Sequence, residues 1–137
     1  MLFYDDVNDA YKYMDVLNSM MQNDTYKKEI GAFVINLGSG NEGAIVLPFY
    51  ANEDRTSFSD LYLKMDDFTR RVEFGGIDYE VNTLIHTHIY NVSSGIGFSP
   101  ADGALSSGIG VPLRIIYNHV VYSASSSTDQ KPIKSLR

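Results

Sequence analysis

Two histidines on one predicted strand can project into the same site. His86 and His88 close the segment Tyr79 to His88, whose apolar character predicts a strand. Side chains at positions i and i+2 of a strand leave the same face, about 6–7 Å apart along the backbone. Two imidazoles at that separation can converge on one metal ion. The pair is therefore a candidate for two ligands of a metal site.

A third ligand, Asp102, is predicted in the segment that begins at Ser99, which a spacer of ten residues separates from His88. The sequence Ser99-Pro100-Ala101-Asp102 is typical of a helix start, because serine is a preferred N-cap, proline suits the first helical position and an acid suits the first turn. The small, polar segment Asn91 to Gly97 predicts a loop that lets the chain return Asp102 to the histidines. Three such ligands leave a fourth position for water, the arrangement of catalytic zinc rather than structural zinc. Zinc in that arrangement lowers the pKa of its water toward about 7 and polarises a carbonyl.

A metal-activated water also needs a proton acceptor, and Glu29 is the candidate. It opens the apolar run Glu29 to Leu37, which predicts a strand buried on both faces. The carboxylate would lie over the site if this strand neighbours the histidine strand. Glu42 is the alternative, although its position after a turn favours a solvated side chain. Ser99 could cap the helix and also hydrogen-bond the oxyanion of a tetrahedral intermediate.

Each of these residues also has an ordinary structural interpretation. Strand histidines need no metal, Asp102 suits a helix dipole, and Ser99 suits an N-cap. The complete set of residues favours a metal site, because each residue pattern is common by itself but their combination is much more specific. His119 lies in a predicted turn, where an exposed side chain is expected rather than a fourth ligand. Tyr90 and Phe98 flank the loop 89–98, where they could line a substrate groove or only pack.

The order of these residues resembles the JAMM motif of the MPN-type (JAB-like) zinc metallopeptidases. A glutamate on an early strand, histidine-x-histidine and serine-x-x-aspartate follow one another here as in that family, and the resemblance covers residues 29–122. Glu29-Ile30-Gly31-Ala32-Phe33 resembles the family's glutamate-bearing strand. The run from Gly110 to Ile116 resembles the strand that follows the metal-site helix.

The resemblance implies an activity and a role for each residue. It implies a zinc-dependent hydrolase that cleaves peptide or isopeptide bonds through a metal-activated water, with a peptide or protein as substrate. One zinc ion would be bound by His86, His88 and Asp102, with Glu29 as general acid/base and Ser99 stabilising the intermediate. Ile89 stands where the family usually has proline, and the spacer is longer than in most members. Long glycine- and serine-rich spacers resemble bacterial branches, RadC-like or attached to polymorphic toxins.

Two other functional classes fit parts of the sequence. Many domains of the MPN fold lack the motif and serve as non-catalytic binding or scaffold modules, which the intact ligand set opposes. Cupin-type metal proteins also place histidine-x-histidine on a strand, but they are nearly all β. The helical patterns at Asp5–Met21 and Ser57–Val72 count against a cupin.

Composition narrows the classes further. The 137 residues predict a single domain, with a core at about 5–124 and a polar C-terminal tail at 125–137. The absence of cysteine excludes disulfides and thiolate ligands. A net charge of −6 opposes nucleic-acid binding, and no apolar run is long enough to span a membrane. The N-terminus lacks signal-peptide features, so the cytoplasm, or delivery as a domain of a secreted effector, is expected.

The pattern of elements predicts an α/β fold with a mixed sheet flanked by helices. The resemblance adds an MPN/JAB-like layered sandwich, similar to that of cytidine deaminases. The predicted elements are, in order, a helix at Asp5–Met21, strands at Glu29–Leu37 and Ala44–Tyr50, a helix at Ser57–Val72, a strand at Tyr79–His88, a short helix at Pro100–Ser107, and strands at Leu113–Asn118 and Val120–Ala124.

Overall fold

The computed structural model describes residues 1–22, 29–48, 62–88, 100–126 and 129–137. These residues form a mixed α/β fold with nine strands and two helices. The elements are β1 (Leu2–Tyr4), α1 (Val7–Met21), β2 (Gly31–Gly38), β3 (Asn41–Val46), β4 (Leu63–Met65), β5 (Arg70–Phe74), β6 (Ile77–Thr87), α2 (Pro100–Ile109), β7 (Leu113–Tyr117), β8 (Val120–Ala124) and β9 (Gln130–Ser135).

The sheet is mixed, as the sequence predicted. Its strand order is β1-β3-β2-β6-β7-β8-β9, while β4 pairs with β5 and β5 pairs with the first part of β6. All of these pairs are antiparallel except β6 with β7. Parallel neighbours need a crossover connection, and α2 lies on the crossover here. The first turn of α2 is therefore expected near the carboxyl end of β6, where α/β folds place their ligands.

Two apolar clusters lie on opposite faces of the central strands. On one face, α1 packs with alternate residues of the strands, and Asp6 caps its N-terminus by accepting a hydrogen bond from the Asn8 amide at 2.9 Å. On the other face, Ile109 of α2 packs with Phe33, Leu84 and Leu113. Alternation along β6 therefore decides which of its side chains meet α1 and which meet the α2 side.

The predicted helix at Ser57–Val72 is wrong from Leu63 onward, while Tyr62, the one described residue before that strand, is helical. The part from Leu63 onward forms the β4–β5 hairpin, in which Leu63 pairs with Val72. Asp66 closes the turn by accepting hydrogen bonds from the amides of Phe68 at 2.8 Å and Thr69 at 2.7 Å. Aspartate bonds of this kind compete with helix formation. Among the described apolar residues of this segment, Met65 thus lies on β4, Phe68 in the turn and Val72 on β5, and the three do not share a helical face.

The predicted polar C-terminal tail contains a strand. β9 pairs antiparallel with β8 at the end of the sheet order, and the Leu136 amide donates to the carbonyl of His119 at 2.8 Å. An edge strand needs little apolar character, and Lys131 and Pro132 are residue types that edge strands commonly carry. The apolar pattern therefore gave no signal for β9. β1 is apolar, but its three residues are too few for a pattern to predict a strand.

The other predicted elements are confirmed with small shifts of their ends. The N-terminal helix, the β2–β3 hairpin, the histidine strand, the short helix and the β7–β8 pair all occur. The predicted residues 49–50 and 57–61 lie outside the described part of the chain. Within the described part, neither helix is both long and apolar enough to cross a lipid bilayer.

Candidate metal centre

The carboxyl end of β6 carries both histidines on the face opposite α1. His86 lies across from Gly31 of β2 and Ile115 of β7, and it follows Leu84 on the same face. His88 stands one residue past the strand, yet its amide still donates to the Ile116 carbonyl at 3.0 Å. Both side chains are buried. The strand alternation that the sequence predicted is confirmed.

Asp102 meets the two histidines from the first turn of α2. Its carboxylate is fully buried, and its two oxygens are shared between the rings. Oδ1 lies 3.1 Å from His86 Nε2, and Oδ2 lies 3.5 Å from His88 Nε2. The two Nε2 atoms are themselves 2.8 Å apart. The β6–α2–β7 crossover thus joins residues that are far apart in sequence.

These separations suit a single small ion. In a tetrahedral site with bonds of about 2.0–2.1 Å, ligand atoms lie about 3.3 Å from each other. The two Nε2 atoms are 2.8 Å apart, and each lies 3.1 or 3.5 Å from one of the two Asp102 oxygens, so the distances are of that size. One ligand atom from each of the three residues lies within 4.8 Å of the others. The His86, His88 and Asp102 group could therefore hold a metal ion.

The lone pairs of the group require a positive partner, either a proton or a cation. A neutral imidazole that carries its proton on Nδ1 presents a lone pair at Nε2, and a carboxylate presents only lone pairs. Three such acceptors at hydrogen-bond distance, buried from water, repel one another unless a proton or a cation lies between them. Nitrogen and carboxylate donors without sulfur are typical of catalytic zinc sites and of several other divalent metals.

One ring nitrogen is left without support within the described ranges. His86 Nδ1 is buried and has no hydrogen-bond partner there. When Nε2 faces a metal, Nδ1 carries the proton, and metal ligands usually donate that proton to an acceptor. The site therefore lacks, among the described residues, the usual support for the His86 ring.

Glu29 reaches the cluster from the residues just before β2. Because Gly31 lies opposite His86, the antiparallel register places Glu29 beside His88. Its Oε1 atom is 4.0 Å from His88 Nε2, and its side chain is 17% exposed. A carboxylate at that distance, partly open to solvent, lies beside the group without completing it. The condition on which the role of Glu29 depended, that its strand neighbours the histidine strand, is met.

The alternative acid, Glu42, is engaged elsewhere. It lies opposite Asn36, toward the other end of β2. Its two carboxylate oxygens accept hydrogen bonds from the Arg114 guanidinium at 3.1 and 3.3 Å. Arg114 Nη1 also donates to the Tyr11 hydroxyl at 2.6 Å. Glu42 is therefore part of a structural network with α1 and is not near the histidines.

The residue between the two histidines fixes the position of Glu29. Thr87 points to the α1 face, where its Oγ1 accepts a hydrogen bond from the Ile30 amide at 3.0 Å. The Thr87 amide donates to the Ile30 carbonyl, also at 3.0 Å. Thr87 thus holds, by side chain and backbone together, the residue that follows Glu29. This role of Thr87 was not apparent from the sequence, where its only local signal is a hydroxyl residue on the face away from the site.

Replacing Thr87 by valine is expected to lower the free energy of unfolding by about 1–3 kcal/mol, because it leaves the buried Ile30 amide without its acceptor. Urea denaturation measures the change. Thr83→Val is the matched control, since Thr83 is also buried, on the same strand and the same face. Equal losses of stability in the two variants would contradict a special link between Thr87 and the Glu29 segment.

Of the remaining residues singled out in the sequence, three lie outside the described part of the chain and one, His119, has a different environment from the one predicted. Ser99, Tyr90 and Phe98 lie outside the described residues, as does the whole loop 89–98. His119 is not the exposed turn residue that was predicted. Its Nδ1 lies 2.8 Å from Asp15 Oδ2, and its side chain is 21% exposed. It has positive φ, as the predicted turn requires, and it lies in the β7–β8 connection.

Comparison of the chain with protein-family models, curated proteins and solved structures finds no match.

Proposed function

We propose that this protein is a zinc-dependent hydrolase of peptide or isopeptide bonds, of the JAMM type. The observation that carries the proposal is the meeting of His86, His88 and Asp102 in one buried group, with the Glu29 carboxylate 4.0 Å from His88 Nε2. A binding or scaffold module needs neither the ligands nor the adjacent acid. The resemblance of the motif to JAMM peptidases supplies the reaction class.

The ligand set favours zinc among the divalent metals. Two imidazoles and one carboxylate suit it, and a fourth position remains for water or substrate. A zinc ion bound there would lower the pKa of a water molecule and polarise the substrate carbonyl. Burial of the ligands keeps the electrostatic effect of the ion strong.

Glu29 has the position of a proton carrier. As a carboxylate it accepts a proton from the attacking water, whose oxygen bonds to the carbonyl carbon. As a carboxylic acid it then returns that proton to the amide nitrogen as the carbon–nitrogen bond breaks. The net reaction adds one water across the bond, with the glutamate restored. Ser99 remains the predicted hydrogen-bond donor to the oxyanion of the tetrahedral intermediate.

A peptide library tests the reaction. Zinc-loaded wild-type protein is incubated with a proteome-derived library and with peptides joined through a lysine ε-amine, and mass spectrometry scores the new termini. Glu29→Gln at equal concentration is the control for contaminating proteases. We expect cleavage only with the wild type. Identical products from both proteins, or none from either while zinc is bound, would contradict the proposed activity and favour the binding module.

A further inference from the structure

Helix α1 buries two polar side chains against the sheet. Asp15 is 6% exposed and Asn18 is 1% exposed. They lie three residues apart, so they share one face of the helix. Buried polar groups are costly unless they are hydrogen-bonded, so their partners matter. Asp15 pairs with His119, in the connection that follows β7.

Asn18 contacts the backbone of a residue in the metal centre. Its Nδ2 donates a hydrogen bond to the His88 carbonyl at 3.1 Å, and the contact is buried. His88 lies beyond the last residue of β6, so the β2–β6 ladder does not hold it. The Ile116 carbonyl accepts from its amide, and Asn18 donates to its carbonyl. The backbone of His88 is thus held on both sides, once by β7 and once by α1.

The Asn18 amide is itself oriented by the helix. Gln22, one turn later, donates from Nε2 to Asn18 Oδ1 at 3.2 Å and to the Asn18 carbonyl at 2.8 Å. With its oxygen occupied by Gln22, the amide directs its nitrogen toward His88. The donor role of Asn18 therefore follows from its neighbour as well as from its distance to the carbonyl.

We propose that Asn18 is a positioning residue for the metal ligand His88, and that Gln22 supports it. The inference rests on the proposed metal site. The carbonyl that Asn18 holds belongs to the same residue as the ligating imidazole, so fixing that peptide fixes the direction in which the side chain leaves the backbone. Metal bonds tolerate little displacement, since ligand distances vary within about 0.2 Å. A hydrogen bond from the opposite face of the sheet thus sets the geometry of the site.

The test compares Co²⁺ binding by the wild type, Asn18→Leu and Asp15→Leu. Leucine removes the amide donor at similar size. Asp15→Leu makes the same kind of change on the same buried face, but breaks a contact to His119 instead. We expect Asn18→Leu to bind Co²⁺ about tenfold or more weakly, the loss typical of removing a group that supports a ligand, with an altered visible absorption spectrum. We expect Asp15→Leu to lose stability while keeping the wild-type spectrum and affinity.

Wild-type affinity and spectrum in folded Asn18→Leu would overturn the inference. If that variant does not fold, Gln22→Ala replaces it, since Gln22 is only partly buried, and a smaller loss of affinity in the same direction is expected. Unchanged binding in Gln22→Ala would then count against the inference.

Hydrogen exchange in the metal-free proteins separates this inference from the proposed function. We expect the His88 amide to exchange faster in Asn18→Leu, while the Thr87 amide, bonded to Ile30, keeps its protection. A wild type that takes up no Co²⁺ would contradict the proposed metal site, and with it the metal-ligand part of the inference, while faster exchange at His88 in Asn18→Leu would still show that Asn18 holds the His88 backbone. Unchanged exchange at His88 would contradict the positioning role alone.

Discussion

Zinc is expected to raise the thermal midpoint of the wild-type protein by roughly 10–20 °C and to leave that of Asp102→Ala unchanged. A ligand at about a thousand times its Kd stabilises the native state by about 4 kcal/mol. For a domain of this size, each kcal/mol moves the midpoint by a few degrees. The increase depends on Asp102, because its fully buried carboxylate lies 3.1 Å from His86 Nε2 and 3.5 Å from His88 Nε2. Differential scanning calorimetry with and without zinc measures the shift.

The matched control for this prediction is Asp15→Ala. Asp15 is also a buried carboxylate beside a histidine, but it lies with His119 and not with the metal group. Its loss should lower the midpoint of the metal-free protein and preserve the increment that zinc produces. A zinc increment of wild-type size in Asp102→Ala would show that the ion binds elsewhere.

Replacing Glu29 by glutamine is expected to reduce the rate of peptide hydrolysis by a factor of about 10²–10⁴ while zinc remains bound. Glutamine has nearly the shape of glutamate but cannot accept the proton of the attacking water at neutral pH. The observed distance of 4.0 Å from His88 Nε2 lies outside ligand contact, so Glu29 stands beside the three proposed metal ligands. Steady-state kinetics and zinc content, measured on the same preparation, test both parts of the prediction.

Glu42→Gln controls for the loss of an acidic side chain. It removes a charge that pairs with Arg114 at a distance from the histidines, so it should cost stability and little activity. Equal loss of activity in the two variants would contradict a specific role for Glu29. Loss of zinc from Glu29→Gln would instead make Glu29 a fourth ligand.

The metal group could be predicted from sequence because each part obeys a local rule. Strand alternation places His86 and His88 on one face, and helix-start chemistry places Asp102 in a first turn. The observed crossover brings those two local features together at the end of β6. Glu29 required a guess about strand pairing, and the antiparallel register of β2 with β6 supports that guess.

The contacts that support the group could not be predicted in the same way. Thr87 bonds to a residue 57 positions away, and Asn18 bonds to one 70 positions away. Neither type of residue signals such a partner locally, because threonine suits any strand and an asparagine inside a helix does not by itself indicate which group it bonds to. Local patterns also failed at the β4–β5 hairpin. Its apolar spacings of three and four are compatible with a helix, but Asp66 accepts the hydrogen bond that forms the turn between two strands.

Elemental analysis of protein purified without chelator tests the central claim most directly, on the wild type and on His88→Ala. His88 is buried and offers one of the three proposed ligand atoms, so its removal would leave only two. The proposed site predicts about one zinc per chain in the wild type and a loss of that zinc in the variant. A wild type that contains no metal and takes up none when zinc is supplied would contradict the metal centre and the hydrolase proposed from it.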